Sequence, residues 1–114
     1  MNIEDFREFC LKLNGVTEDF PFDKSTLVFR VGNKIFALVD VDQFDFVNLK
    51  CEPSRALELR ESHTGIRPGY HMNKQHWNSV YTDEDVSDPL FLELTLHSYE
   101  LIKASLPAAI RKSL

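Results

Sequence analysis

Between Pro68 and Trp77 the chain reads Pro-Gly-Tyr-His-Met-Asn-Lys-Gln-His-Trp, and no other ten residues hold as much that could do chemistry. Two of the four histidines and the only tryptophan fall there. Imidazole, phenol, amide and ammonium groups donate hydrogen bonds, and Tyr70, His71, His76 and Trp77 add flat faces on which another ring can stack. Polar and aromatic groups crowded beside a Pro-Gly turn form recognition surfaces more readily than cores.

Three chemistries are open to this stretch. His71 and His76 are five apart, with His63 nearby, but zinc requires three or four ligands in fixed geometry, commonly in tighter local pairs. Solvent-facing histidines that donate hydrogen bonds are the plainer reading, and neither a metal nor a cofactor is expected. The chain carries no G-x-S-x-G elbow, no H-E-x-x-H helix and no cysteine set beside a histidine in a motif, so no catalytic set is proposed and a non-enzymatic binding module is expected. Nucleic-acid binding fits better: Lys50, Arg60, Arg67 and Lys74 could contact phosphates while Tyr70, His71, His76 and Trp77 supply hydrogen bonds and stacking planes. Against it, a strand tryptophan is commonly a core anchor, and four cations on an acidic protein are commonly a solvated face.

Charge sharpens that weighing. The net charge of −5 is not that of a chain made to grip nucleic acid over its whole surface. It is uneven, however: residues 1–49 carry −4, residues 50–76 carry +2 and residues 77–114 carry −3. The only positive segment holds the aromatic and histidine run.

The elements that must position these residues follow from periodicity. Asn2 caps a helix over about residues 3–13, where Ile3, Phe6, Cys10 and Leu13 recur at helical spacing before Gly15. Residues 16–23 have no clean period and read as an ordered loop whose Phe20 and Phe22 close over one edge of the core. Leu27–Val31 and Lys34–Val39 flank Gly32-Asn33, a hairpin with an expected type II′ turn, pairing Phe29 with Phe36 and Leu27 with Leu38 on the core face. A third strand, residues 45–51, turns Val47, Leu49 and Cys51 one way and Phe46, Asn48 and Lys50 the other. Pro53 opens a short helix to about Ser62 that buries Ala56, Leu57 and Leu59. An extended piece at Ile66-Arg67 and a strand at Trp77–Tyr81 follow, then a helix from Pro89 to Ser105 with so narrow a polar stripe that the sheet and another helix, or a second subunit, must shield it. The expectation is an α+β domain of two layers, an antiparallel sheet with helices in the order α-β-β-β-α-β-β-α.

The 114 residues suit one domain, 1–114, with a single core. The N-terminus lacks the basic start and apolar run of a secretory signal, and no segment is apolar enough to span a bilayer. Cys10 and Cys51 read as buried thiols, so the chain is expected in the cytoplasm, as a monomer without a membrane partner.

Taken together, Phe20-Pro21-Phe22-Asp23, the hairpin Val28–Leu38, Asn48-Leu49-Lys50-Cys51-Glu52-Pro53, the run Arg67–Trp77 and Ser98-Tyr99-Glu100-Leu101 resemble the MmcQ/YjbR family over essentially the whole chain. The resemblance implies a small α+β domain similar to type III secretion chaperones and described as a double wing. It also implies a DNA-binding role, with Lys50, Arg67, Tyr70, His71, Asn73, Lys74, His76 and Trp77 as the surface. Family motifs often have glycine where this chain has Asp23. The leading expectation is DNA binding through the 50–77 surface; the alternative is a chaperone-like protein-interaction module using the sheet face or the last helix.

Overall fold

The computed structural model describes residues 1–114. Along the chain lie α1 (Ile3–Lys12), β1 (Val16–Asp19), β2 (Thr26–Val31), β3 (Lys34–Asp40), β4 (Phe46–Lys50), α2 (Pro53–Ser62), β5 (Ile66–Pro68), β6 (Trp77–Tyr81), α3 (Asp88–Ala104) and α4 (Ala108–Lys112). The strands form one antiparallel sheet in the order β1-β2-β3-β4-β6-β5. The α+β class and the expected order hold, with β1 and α4 added to it.

Each main helix starts where a side chain satisfies free backbone N–H groups. Asn2 Oδ1 accepts from Asp5 N–H at 2.8 Å. The Glu52 carboxylate accepts from Ser54 and Arg55 N–H at 3.2 and 3.0 Å, and Ser87 Oγ from Leu90 N–H at 3.3 Å. Pro53 and Pro89 follow at first-turn positions, where a missing N–H costs nothing.

α1, α2 and α3 pack on the same face of the sheet. There Phe6 meets Phe29 and Phe91 edge-on, with ring centroids 5.7 and 5.9 Å apart, and Phe36 meets Tyr99 at 5.5 Å. Burying each of these phenylalanines contributes about 1.5–3 kcal/mol. α3 buries Phe91, Leu94, Thr95, Ser98, Tyr99 and Ile102 against β2, β3, β4 and α1, so sheet and helix together cover its broad apolar surface. Cys10 and Cys51 are buried as expected, and burial raises the Cys51 thiol to about 11.

Four details differ from the sequence reading. Residues 16–19 form an edge strand paired with Val28–Val31 rather than a loop; pairing supplies the order that their polar composition hides. Phe20 and Phe22 do not close over the core: Phe22 is 66% exposed and lies on the opposite side of the sheet. Leu57 of α2 is 58% exposed, because only one side of this short helix meets the sheet. In the hairpin both Gly32 (φ 56°) and Asn33 (φ 69°) have positive φ, which makes the turn type I′ rather than II′.

The hairpin register also differs. Leu27 pairs with Val39, Val28 with Leu38 and Phe29 with Ala37, but Arg30 pairs with Ile35, which leaves Phe36 as the extra residue of a β-bulge. Phe36 and Ala37 both enter the core while Leu38 moves to the other face. The bulge interrupts the ladder, and Ser98 of α3 repairs it: its hydroxyl donates to the Phe36 carbonyl at 2.6 Å and accepts from Lys50 N–H at 2.9 Å. A fully buried serine thus satisfies two strands at once.

Candidate ligand-binding groove

The strand residues that alternate with the core point to the uncovered face. Val28, Leu38, Asn48 and Ser79 follow one another across four strands, with Phe46 opposite Tyr81 to one side and Arg30 opposite Ile35 and Lys50 opposite Trp77 to the other. Two loops rise over this face. Between Phe22 and the run Tyr70-His71-Met72 they enclose an open groove of about 590 Å³, with Ile35, Leu38, Phe46 and Trp77 among its apolar lining.

Local hydrogen bonding holds both walls. Asp23 uses Oδ1 to accept from Ser25 and Thr26 N–H at 2.8 and 2.6 Å. Those bonds hold its carboxyl below the ordinary carboxylate range and fix the turn behind Phe22 by side-chain contact, with no call for glycine's freedom. On the other wall, Asn48 Nδ2 donates to the Tyr70 carbonyl at 3.0 Å, Ser79 Oγ donates to Asn48 Oδ1 at 2.5 Å, and Tyr70 N–H donates to Ser79 Oγ at 2.9 Å. This closed circuit pins the loop to the sheet. Gly69 is required there, since a Cβ would come within 2.8 Å of Trp77 Cβ and 2.9 Å of its carbonyl oxygen.

The residues singled out from sequence divide into two groups. Arg60, Arg67, Asn73 and Lys74 serve the chain itself. Arg60 donates to Asn78 Oδ1 at 2.7 Å and to the Lys74 and Trp77 carbonyls. Lys74 Nζ donates to the Gly69 carbonyl at 3.1 Å, and Asn73 accepts from Gln75, His76 and Trp77 N–H. Arg67 pairs with Glu84 and lies over the Tyr81 ring, 3.9 Å from its centroid. His76 receives Cys51 N–H on its carbonyl and stands outside the groove. Tyr70, His71 and Trp77, by contrast, present their rings to the groove. Tyr70 is 58% exposed and edge-on to Phe46 at 5.9 Å, while His71 sits in the left-handed region (φ 59°) with its ring 4.1 Å from that of Tyr70. A non-glycine residue held at positive φ costs about 1–3 kcal/mol, and such residues cluster at binding sites. The Lys50 side chain, half-buried opposite Trp77, makes no ion pair or hydrogen bond.

Of the four candidate cations, Arg67 is ion-paired, Arg60 and Lys74 donate to neutral oxygens of the chain, and only Lys50 has no partner. The groove also draws on residues that sequence reasoning left out: Phe22, Thr26, Ile35, Leu38, Asp40, Phe46, Asn48 and Met72. One signal is available in the sequence, because the alternation of the third strand turns Phe46 away from Val47 and Leu49, where an apolar ring calls for a partner. Leu38 could not be found that way, since the bulge that turns it outward carries no local mark.

A family model described as YjbR matches residues 11–101. The chain is 38% identical over 100 residues to YbdF of Escherichia coli, covering 87% of this chain and 82% of that one. It is 32% identical over 115 residues to YjbR of Escherichia coli, covering 100% and 98%. A crystal structure of a Deinococcus radiodurans protein with a DUF419 domain superposes with a TM-score of 0.92 at 40% identity, covering 98% of this chain and 86% of that one. A Pseudomonas syringae protein superposes with a TM-score of 0.75 at 27% identity, over 90% and 99%. The fold, the motif run and the relatives agree, and the chain belongs to the YjbR family.

Proposed function

We propose that the protein is a binding module that works through the groove on the uncovered sheet face, taking an apolar group between Phe22 and the Tyr70–Met72 loop. One observation carries the reading: a concave, largely apolar surface gathers the rings of Tyr70, His71 and Trp77 over a floor that no helix covers. Its volume falls within the range of small-ligand sites, which are mostly apolar with a few convergent polar groups. The Trp77 indole N–H and the Tyr70 hydroxyl make no hydrogen bond within the chain and are free to orient a ligand.

The neutral planar dye Nile red tests the reading. Its emission is expected to rise saturably with the wild-type protein, and Leu38→Glu, which sets a charge on the groove floor, is expected to weaken it at least about tenfold. A dye response that survives Leu38→Glu in a folded variant would place the apolar site elsewhere.

DNA binding, the second reading, draws on the same face: Lys50 is unpaired and the Tyr70 ring is open for stacking. With Arg67 ion-paired and Arg60 and Lys74 already donating to oxygens of the chain, one or two phosphate contacts are what this surface supports. The slope of log K against log salt on duplex DNA would then lie near about −0.9 to −1.8 rather than the ~−2.7 of three contacts. Absence of binding at low salt removes this reading and leaves the groove standing.

A further inference from the structure

The charge that lines the groove is one-sided, with Lys50 outside the lining beside Trp77 at its far end. Setting His71 aside, Asp40 is the only lining residue with an ionisable side chain that carries formal charge, and it stands at the end of β3 opposite Thr26. Its Oδ1 accepts from Asp42 and Gln43 N–H at 2.9 and 3.1 Å, while Oδ2 has no partner. Phe22, Phe46 and Tyr70 add rings whose faces carry the negative part of the aromatic quadrupole, and the chain as a whole is at −5. The same cluster already holds one cation on a ring: the Arg67 guanidinium over Tyr81, which packs 5.0 Å from Phe46.

An anionic ligand entering this groove would meet a carboxylate and electron-rich faces, whereas an ammonium group would be attracted by both. We infer that the groove takes an organic cation, an amine or quaternary ammonium carried on an apolar body. The inference rests on the groove reading above and specifies its ligand class. The head lies at the Asp40 and Phe46 end, and the apolar body runs along β3 toward Ile35 and Trp77. Asp40 and Ile35 are five positions apart on that strand, about 16 Å at 3.3 Å per residue, which leaves room for both parts.

The experiment displaces Nile red with three probes of similar shape: benzyltrimethylammonium, its neutral carbon isostere neopentylbenzene, and the anion phenylacetate. Amide NMR shifts at Asp40 and Phe46 report the location. The cation is expected to displace the dye at least about tenfold more effectively than the neutral or the anionic probe. Asp40→Asn, which keeps the Oδ1 acceptor for Asp42 and Gln43 and removes the charge, is expected to abolish that preference while neopentylbenzene binds unchanged. Phe46→Leu is expected to weaken the cation more than the neutral isostere. If the dye occupies the groove but the cation has no advantage, or if the advantage survives Asp40→Asn, the ligand class is wrong while the groove reading stands. If Nile red binding ignores Leu38→Glu, the groove reading fails and this inference falls with it.

Discussion

The two faces of the sheet are built from alternate residues of the same strands, yet one is sealed and the other is open. On the helix side Phe29, Phe36 and Val47 are fully buried beneath α1 and α3. On the other side Ile35, Leu38 and Phe46, chemically of the same kind, stay half-buried because only two loops reach over them. Apolar character alone therefore does not mark core in this protein. What separates the faces is whether a helix arrives, and an apolar face left without one is available to a ligand.

Paired truncations separate the two faces most strongly. Phe36→Ala is expected to cost about 3–5 kcal/mol, a large part of the stability of a domain this size. Leu38→Ala, two positions away on the same strand and half-exposed, is expected to cost about 1 kcal/mol. Urea denaturation measures both, and near-equal losses would mean that the uncovered face is core after all.

A smaller contrast separates two arginines of the 50–77 segment. Arg60→Met keeps the apolar stem but leaves the Lys74 carbonyl and Asn78 Oδ1 without their donor, at an expected cost of about 1–3 kcal/mol with weakened Nile red binding. Arg67→Met removes a partly exposed pair with Glu84 and is expected to cost about 0–1 kcal/mol. Equal effects on dye binding would contradict the assignment of Arg60 as the residue that holds the loop.

The smallest effect concerns the helix side and pH. His97 Nε2 accepts from Glu52 N–H at 3.3 Å, joining α3 to the start of α2. Burial first, then the neighbouring Arg55, lowers the imidazole from its ordinary value of 6.5. The unfolded chain then binds this proton more readily than the folded one. The His97 contribution is complete above pH 6.5 and is lost as the pH falls from there through the lower folded-state value. His97→Gln, which retains an acceptor and cannot titrate, is expected to flatten the stability profile in that window. Urea midpoints that keep the wild-type slope would remove His97 as its source.

Much of this architecture was legible residue by residue. Asn2, Pro53 and Pro89 mark helix starts because a cap or a missing N–H acts within one turn, and the alternation of Phe46 to Lys50 assigns faces because strand side chains alternate wherever the strand lies. Val16–Asp19 was not legible, since an edge strand of polar residues owes its order to the partner strand. The recognition run was half legible: Tyr70, His71 and Trp77 were found as a surface, but Arg60, Asn73 and Lys74 carry the same residue types and spend their hydrogen bonds on the loop itself.

Most element types, the antiparallel α+β class and the motif that places the chain in its family follow from short-range periodicity, turn chemistry or residue identity, whereas β1 and α4 do not. Tertiary structure alone decided which face is left open and what lines it. The bulge at Phe36 depends on a serine 62 positions later, and the wall of the groove on an asparagine 22 positions before the carbonyl it holds. Contacts at such separations form only once the chain has closed on itself, so no local pattern records them.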